Sequence, residues 1–321
     1  MEPPHNNNSA DYCTLLGLAT DKQARAAGAG GARSRTWVSD KGGEMAIITI
    51  SRFTMSGGEK LAECLSDKLG IPSVSREVIS QVASQFGISE AVLLEQVQKT
   101  KGGPSPERRL YLASLQLVLA EKAQRGAFIY HGLAGHFLLR GVPQILKVGI
   151  VAPVKVRAER LMAQKNISME EAVRSIQRWD EKSIKWARFL YDVDWLDPSL
   201  YDLVINIAEI GVESACEIVL CALDQQEFKE SPGTQFLIDD LVLASRVKVQ
   251  LAANETTRGL ELEVEAKKQV LRITGRVLMG GGIFSWRGED RIRNDLIEVA
   301  MAVPGVEKVI VALEGEAVPV E

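Results

Sequence analysis

Apolar positions along this chain follow two alternating periods. Residues 46–50, Ala-Ile-Ile-Thr-Ile, form an unbroken run rich in β-branched side chains, the pattern of a central parallel strand covered on both faces. From Glu59 the period turns helical: Leu61, Ala62, Leu65 and Leu69 share one face, and Gly70 supplies a stop. The switch then recurs. A short strand and helix begin within 71–79, a helix is expected over 89–100, and a long helix runs from Pro106, capped by Ser105, to Arg125 before Gly126. A strand at 127–131 leads to a helix opened by Gly132 and Gly135. Beyond it come a strand at 145–151, helices at 154–165 and 168–190, a strand at 201–207 and a helix at 212–224. Strands alternating with helices predict an α/β fold on a parallel sheet.

The two ends read differently. Residues 1–44 contain Pro-Pro, Asn-Asn-Asn and an Ala/Gly-rich run without a sustained apolar period, and are expected to form a disordered tail. Its Leu15-Leu-Gly-Leu18 is too short for a signal-peptide core or a membrane span. Residues 225–235 form a polar Pro/Gly linker, so the main domain covers 45–224. A smaller α+β domain follows over 236–315. Its first helix, 236–253, places Leu237, Leu241, Ala244, Val247 and Leu251 on one face. A strictly alternating strand at 260–265 pairs with 270–277 through Ala266-Lys-Lys268, and a helix at 288–302 precedes a last strand at 303–311.

Composition narrows the function classes. A length of 321 residues suits two domains, and a net charge of −4 gives no reason to expect nucleic acid or an anionic membrane surface. Four cysteines make no disulfide framework. Cys216 and Cys221 are five apart without a nearby His, so no metal site is expected, and reduced thiols suit a cytoplasmic protein. Charge is nevertheless uneven: residues 155–188 hold nine Lys or Arg against five acids. His131 and His136 are expected to pack or lie at the surface, as are Trp179, Trp186 and Trp195.

The chemistry concentrates between the first strand and the first helix, at Ser51-Arg-Phe-Thr-Met-Ser-Gly-Gly58. Such a loop aims backbone N–H groups and the positive helix end at one point, which suits phosphate. The standard pattern G-x-x-x-x-G-K-[ST] is not met: Arg52 stands at the first Gly, Gly57 matches the second, and Gly58 replaces the Lys. The alternative is an ordinary turn with Ser56 as helix cap.

The ordered set Ile48-Thr-Ile-Ser-Arg52, Ser56-Gly-Gly58, Lys68-Leu-Gly-Ile-Pro72, Arg76-Glu-Val-Ile79, Gly132, Val151-Ala-Pro153, Arg157-x-x-Arg160, Asp180, Asp194-Trp195 and Asp197-Pro-x-x-Tyr-Asp-Leu-Val-Ile-Asn206 resembles the cytidylate kinase-like family of P-loop nucleoside monophosphate kinases. The resemblance implies a five-stranded parallel core with helices on both faces and transfer of a phosphoryl group from ATP, with Mg²⁺, to CMP or a related nucleotide. It implies an ATP-phosphate loop of Ser51, Arg52, Ser56, Gly57, Gly58 and Glu59. It also implies an acceptor site including Ser75, Arg76, Gly132, Asp180, Lys182 and Lys185, and a mobile basic lid around 157–190. Arg52, Arg157 and Arg160 are the expected catalytic cations; the last two, three apart on one helix, can reach one phosphate.

The chain departs from the family pattern at four charged or glycine positions. Met55 stands where Gly is usual, Ser75 where Asp is, Leu133 where Arg is, and Ser183 where a lid Arg is. A left-handed Met55 implies a strain of about 1–2 kcal/mol and a side chain near the phosphates. These losses favour a second reading, a catalytically degenerate nucleotide-binding regulator. The C-terminal domain resembles a BON domain through Ile273-Thr-Gly-Arg-Val277 and Ala302-Val-Pro-Gly-Val306. That resemblance, whose ending is the full Ala300-x-x-Val-Pro-Gly-Val-x-x-Val309 run, implies a module for a small ligand or protein partner, at which the Gly280–Trp286 loop can present Phe284 and Trp286.

Overall fold

The computed structural model describes residues 46–87, 105–132, 135–142, 144–229, 231–279 and 285–317. The expected tail, the helix at 89–100, Leu133 and Phe284 lie outside the described residues. The chain divides into two compact units. One lies within Met1–Glu77, Gly126–Phe137 and Gln144–Glu230, the other within Val78–Arg125, Leu138–Pro143 and Ser231–Glu321.

The first unit is built on β1 (Ile47–Arg52), buried at every position as its apolar run requires. Parallel partners flank it: β3 (Phe128–Gly132) pairs Ile47 with Phe128, and β4 (Ile145–Val151) pairs Ile47 with Ile145. With β2 (Ser73–Val74) and β5 (Leu203–Asn206) at the edges, the five-stranded sheet has the order β2-β3-β1-β4-β5. The connection after β1 runs towards β2 and that after β4 towards β5. Ligands in such sheets lie beyond the carboxyl ends of the strands where the direction reverses, here between β1 and β4.

Helix α1 (Gly58–Leu69) packs Leu61, Ala62 and Leu65 on Ile48, Ile50 and Ile129. It ends at Gly70 in the left-handed conformation, φ 66°. Helix α2 (Arg76–Phe86) follows β2, and α3 (Pro106–Arg125) has Ser105 accepting from the Arg108 N–H at 3.2 Å, the expected cap. After β3 the expected helix is absent among the described residues; a single 3-10 turn, Gly135–Phe137, stands there, and its one buried turn gives no amphipathic face to extend. Helices α4 (Val154–Lys165) and α5 (Met169–Tyr191) form a hairpin with its own apolar seam of Ala158, Leu161, Ala172 and Ile176. Ser168 caps α5 at the Glu171 N–H, and α6 (Val212–Leu223) closes the β1 core with Ala215, Cys216, Val219 and Leu220.

In the second unit, α7 (Thr234–Ala253) lies on a three-stranded sheet of β6 (Glu261–Lys267), β7 (Val270–Met279) and β8 (Lys308–Ala317). Strand β7 pairs antiparallel with β6 and parallel with β8, and α8 (Ser285–Met301) supplies the crossover. The β6–β7 turn falls at Lys268 and Gln269, both at positive φ, two residues later than the start expected at Ala266. The predicted face of α7 also needs correction. Leu237 is 42% exposed, whereas Ile238, Val242, Leu243 and Val249 are buried with Ala244, Val247 and Leu251. The helix is covered on two sides, by the sheet and by α3, so a single-stripe reading misplaces its register.

Candidate functional site

The site is built where β1 runs into α1. The chain turns at once, the Ser56 N–H donating to the Phe53 carbonyl at 3.1 Å, and α1 begins with Leu61 N–H to Gly57 O at 3.2 Å. The N–H groups of the first turn have no partner within the helix and face the loop. Gly57, not Ser56, is the N-cap, at φ 97°. The Ser56 hydroxyl is buried without a partner, so its expected capping role is not realised. A Cβ on Gly57 would stand 3.2 Å from Nη1 of Arg160.

Arg52 leaves the end of β1 and crosses the start of α1. A Cβ on Gly58 would meet Arg52 Cδ at 2.7 Å and Cβ at 2.9 Å, so only glycine fits there. The guanidinium is buried with Nε and Nη2 lacking any hydrogen-bond partner. Burial lowers its pKa, opposed by the nearby Glu59 carboxylate and the Tyr130 phenol.

On the other side of the loop, α4 and α5 hold the loop's carbonyls. Arg157 donates from Nη1 and Nη2 to both carboxylate oxygens of Asp180, at 2.8 and 2.6 Å. Its Nε reaches the Ala152 carbonyl at 3.1 Å, Nη1 the Thr54 carbonyl at 3.3 Å, and the Phe53 ring lies 4.8 Å from its centre. Arg160 Nη1 donates to the Met55 and Ser56 carbonyls at 3.1 and 2.9 Å. Every peptide here is trans, so carbonyls drawn towards α4 turn the following N–H groups of Met55 and Gly57 away from it. Met55 is left-handed, φ 61°, as its place in the loop implies. Its side chain joins the α4–α5 seam with Val154, Met162 and Trp179.

A polar and aromatic cluster forms from residues at the end of β1, after β3 and before β5. Ser51 Oγ lies 3.5 Å from His136 Nδ1, and the His136 and Tyr201 rings meet edge to face at 5.0 Å. The Tyr201 hydroxyl donates to the Trp195 carbonyl at 2.7 Å, and the Trp195 ring packs on Phe53 at 4.8 Å, tilted by 55°. Burial pushes the Tyr201 phenol up to about 12. Tyr130 is buried, its phenol likewise raised to about 12, and its ring lies across Gly132: a Cβ there would stand 2.8 Å from Tyr130 Oη. His131 has its pKa lowered to about 4, first by burial and then by the positive Arg52.

Thus Ser51, Arg52, Ser56, Gly57, Gly58 and Glu59 are brought together, with Arg157 and Arg160 behind them. The Ser75 N–H donates to Glu77 at 2.8 Å at the start of α2, where Arg76 stands. Asp180 is engaged by Arg157; Lys185 is exposed and Lys182 half-buried on α5. Sequence reasoning gave Phe53 only as part of the loop and Tyr201 only as part of the matched pattern, expected packing or a surface place for His136, and missed Tyr130. For Tyr130 and His136 the one signal is a polar or aromatic side chain near the carboxyl end of β3, a position that favours sites in open α/β sheets.

The parallel sheet with a glycine-rich turn between its central strand and a helix defines a P-loop-like α/β nucleotide kinase class. The chain belongs to the cytidylate kinase-like family, whose model matches residues 47–209, just over half of its length. Relatives include a cytidylate kinase of Pyrococcus horikoshii, 30% identical over 56% of this chain and 88% of that protein. Those of Methanopyrus kandleri (29% identical) and Methanothrix thermoacetophila (31%) match over 58% and 55% of this chain, and each over 97% of the relative.

Proposed function

We propose that the first unit transfers the γ-phosphoryl group of ATP to CMP or a related nucleoside monophosphate. An acceptor phosphate oxygen attacks the γ-phosphorus, and ADP leaves with the bond's electron pair. The observation that carries this reading is the Ser51–Gly58 turn between a fully buried strand and the free N–H groups of α1. Phosphoryl transfer asks a protein chiefly to position the groups and neutralise charge. Ser56, Gly57, Gly58 and Glu59, with Ser51 and Arg52, would hold the β- and γ-phosphates. Ser75, Arg76, Gly132, Lys182 and Lys185 would serve the acceptor. Arg157 and Arg160 act as positioning residues, holding loop carbonyls so that N–H groups face the other way. Among the described residues no group of three His, Cys, Asp or Glu could hold a metal. Mg²⁺ would arrive on the polyphosphate, which supplies most of its ligands together with water.

A thermal-shift panel with ATP, ADP, CMP and dCMP, each with and without Mg²⁺, tests the reading. At 100 times its dissociation constant a true ligand stabilises by about 2.7 kcal/mol. Stabilisation by ATP–Mg²⁺ and by one cytidine monophosphate is expected; no shift with any of them contradicts the proposal.

The engagement of Arg157 by Asp180 supports the second reading, a nucleotide-binding regulator with little turnover, because that pair's charges are already neutralised by each other. In either case we propose a cytoplasmic protein, in which no described helix is long and apolar enough to cross a membrane. Residues 236–315 are proposed as the BON-like module that senses a ligand or partner.

A further inference from the structure

We infer that β8 is an interface for a second copy of this chain: two β8 strands pair antiparallel about a two-fold axis at Val311, joining two three-stranded sheets into one. The inference stands on the second unit alone and does not depend on the kinase reading.

Strand β8 is the edge of its sheet. It pairs with β7 over all ten of its residues, and among the described residues no strand lies on its other side. The sequence leaves this edge unguarded. The opposite edge, β6, exposes Glu261, Glu263, Glu265 and Lys267, a charged row of the kind that keeps an edge from accepting another strand. In β8 the residues between Lys308 and Glu314 are Val309-Ile-Val-Ala-Leu313, with neither charge nor proline. Its inward row is also incompletely covered. Leu271 and Ile273 of the central β7 are fully buried, whereas Val309, Val311 and Leu313 pack on the same core yet stay half-buried. On the outward row Ile310 is 44% exposed. Arg293 of α8 donates to the Val311 carbonyl at 2.6 Å, a side-chain contact that leaves the oxygen able to accept a second bond.

Charge selects both the occupant and its direction. A parallel in-register pair of β8 strands would set Lys308 against Lys308 and Glu314 against Glu314. An antiparallel pair centred on Val311 sets Lys308 of each copy opposite Glu314 of the other, Val309 opposite Leu313, and Ile310 opposite Ala312. The two charged positions are then matched by opposite charges, and the apolar positions between them cover one another. The contacts are reciprocal, so the dimer closes on itself and uses up both unguarded edges.

Sedimentation velocity on the full chain, from about 1 to 200 μM, tests this, with melting temperatures read beside it. Wild type should show a concentration-dependent monomer–dimer equilibrium and no larger species. Ile310→Lys, at an exposed position, should be monomeric with its melting temperature at low concentration unchanged. K308E and E314K each place two like-charged pairs in the dimer, and each should weaken it about 10-fold or more. An equimolar mixture of K308E and E314K should regain the dimer, because each variant then carries at both positions the charge that the other needs.

Wild type that stays monomeric throughout this range overturns the inference. So does a dimer that I310K leaves intact, since the contact would lie elsewhere. A dimer lost in I310K but indifferent to both charge reversals overturns the antiparallel register about Val311, and growth beyond the dimer overturns the closed arrangement. Should Ile310→Lys not fold, K308E, E314K and their mixture decide, because both of those positions are exposed.

Discussion

At the residue scale, Met55 shows how a departure from the family pattern was half legible. Its backbone strain follows from a loop that needs a left-handed residue, and φ 61° bears this out. Its side-chain position does not, because the α4–α5 seam that receives it is formed by residues a hundred positions away. Replacing Met55 by Ala keeps the strain of about 1 kcal/mol and loses the packing; replacing it by Gly loses the packing but relieves the strain. Met55→Ala should therefore be the less stable variant by about 1 kcal/mol in urea titration. Equal stabilities would mean that the left-handed backbone costs nothing.

His131 gives a pH signature. Its folded pKa near 4 lies below the unfolded value of 6.5, so between these pH values the unfolded chain binds more protons. Stability contributed by neutral, half-buried His131 is complete above about pH 6.5 and falls towards pH 4, by at most ~3.4 kcal/mol. The difference in stability between wild type and His131→Gln should therefore change over pH 4–6.5 and be constant above it. A difference independent of pH would show that the imidazole titrates normally.

Among elements, those announced by local chemistry were read closely. Ser105-Pro106 and Gly126 bound α3, because caps are fixed by neighbouring residues. The helix expected after Gly132 failed because two glycines signalled a close approach to Tyr130 instead of a helix start. The α4–α5 hairpin was legible as two charged helices, but the partner of Arg157 was not. The buried Arg157–Asp180 pair makes a sharp forecast. Asp180→Ala leaves a nearly fully buried guanidinium uncompensated and should cost about 3–5 kcal/mol, whereas the double variant D180A/R157M should recover much of it. If denaturation finds the two single and double variants additive, the ion pair does not hold the hairpin.

For the whole molecule, the parallel sheet follows the alternation of periods along the chain, whereas its order β2-β3-β1-β4-β5 does not. The partition of α3 does not, since its apolar residues encircle it and name no partner. In the structure α3 packs on α7 within the second unit: Gln124 donates to Asp239 at 2.7 Å and Arg109 to the Arg258 carbonyl at 3.0 Å. Ile238, Val242 and Val249, buried outside the sheet-facing core, form the stripe on that side of α7. A fragment of residues 231–321 alone would expose that stripe. It should unfold with low cooperativity or self-associate in sedimentation, and a monomer of full stability would show that α3 is dispensable.

As proposed, the first unit is a working phosphotransferase with Arg52 among the cations of its phosphate loop. The most direct measurement is CMP-dependent formation of ADP from ATP–Mg²⁺ by the intact chain, beside R52M. The account predicts saturable turnover on the order of 1–100 per second, lost in R52M chiefly through weaker ATP binding. Nucleotide binding without CMP-dependent ADP formation would contradict it and leave the regulator reading in its place.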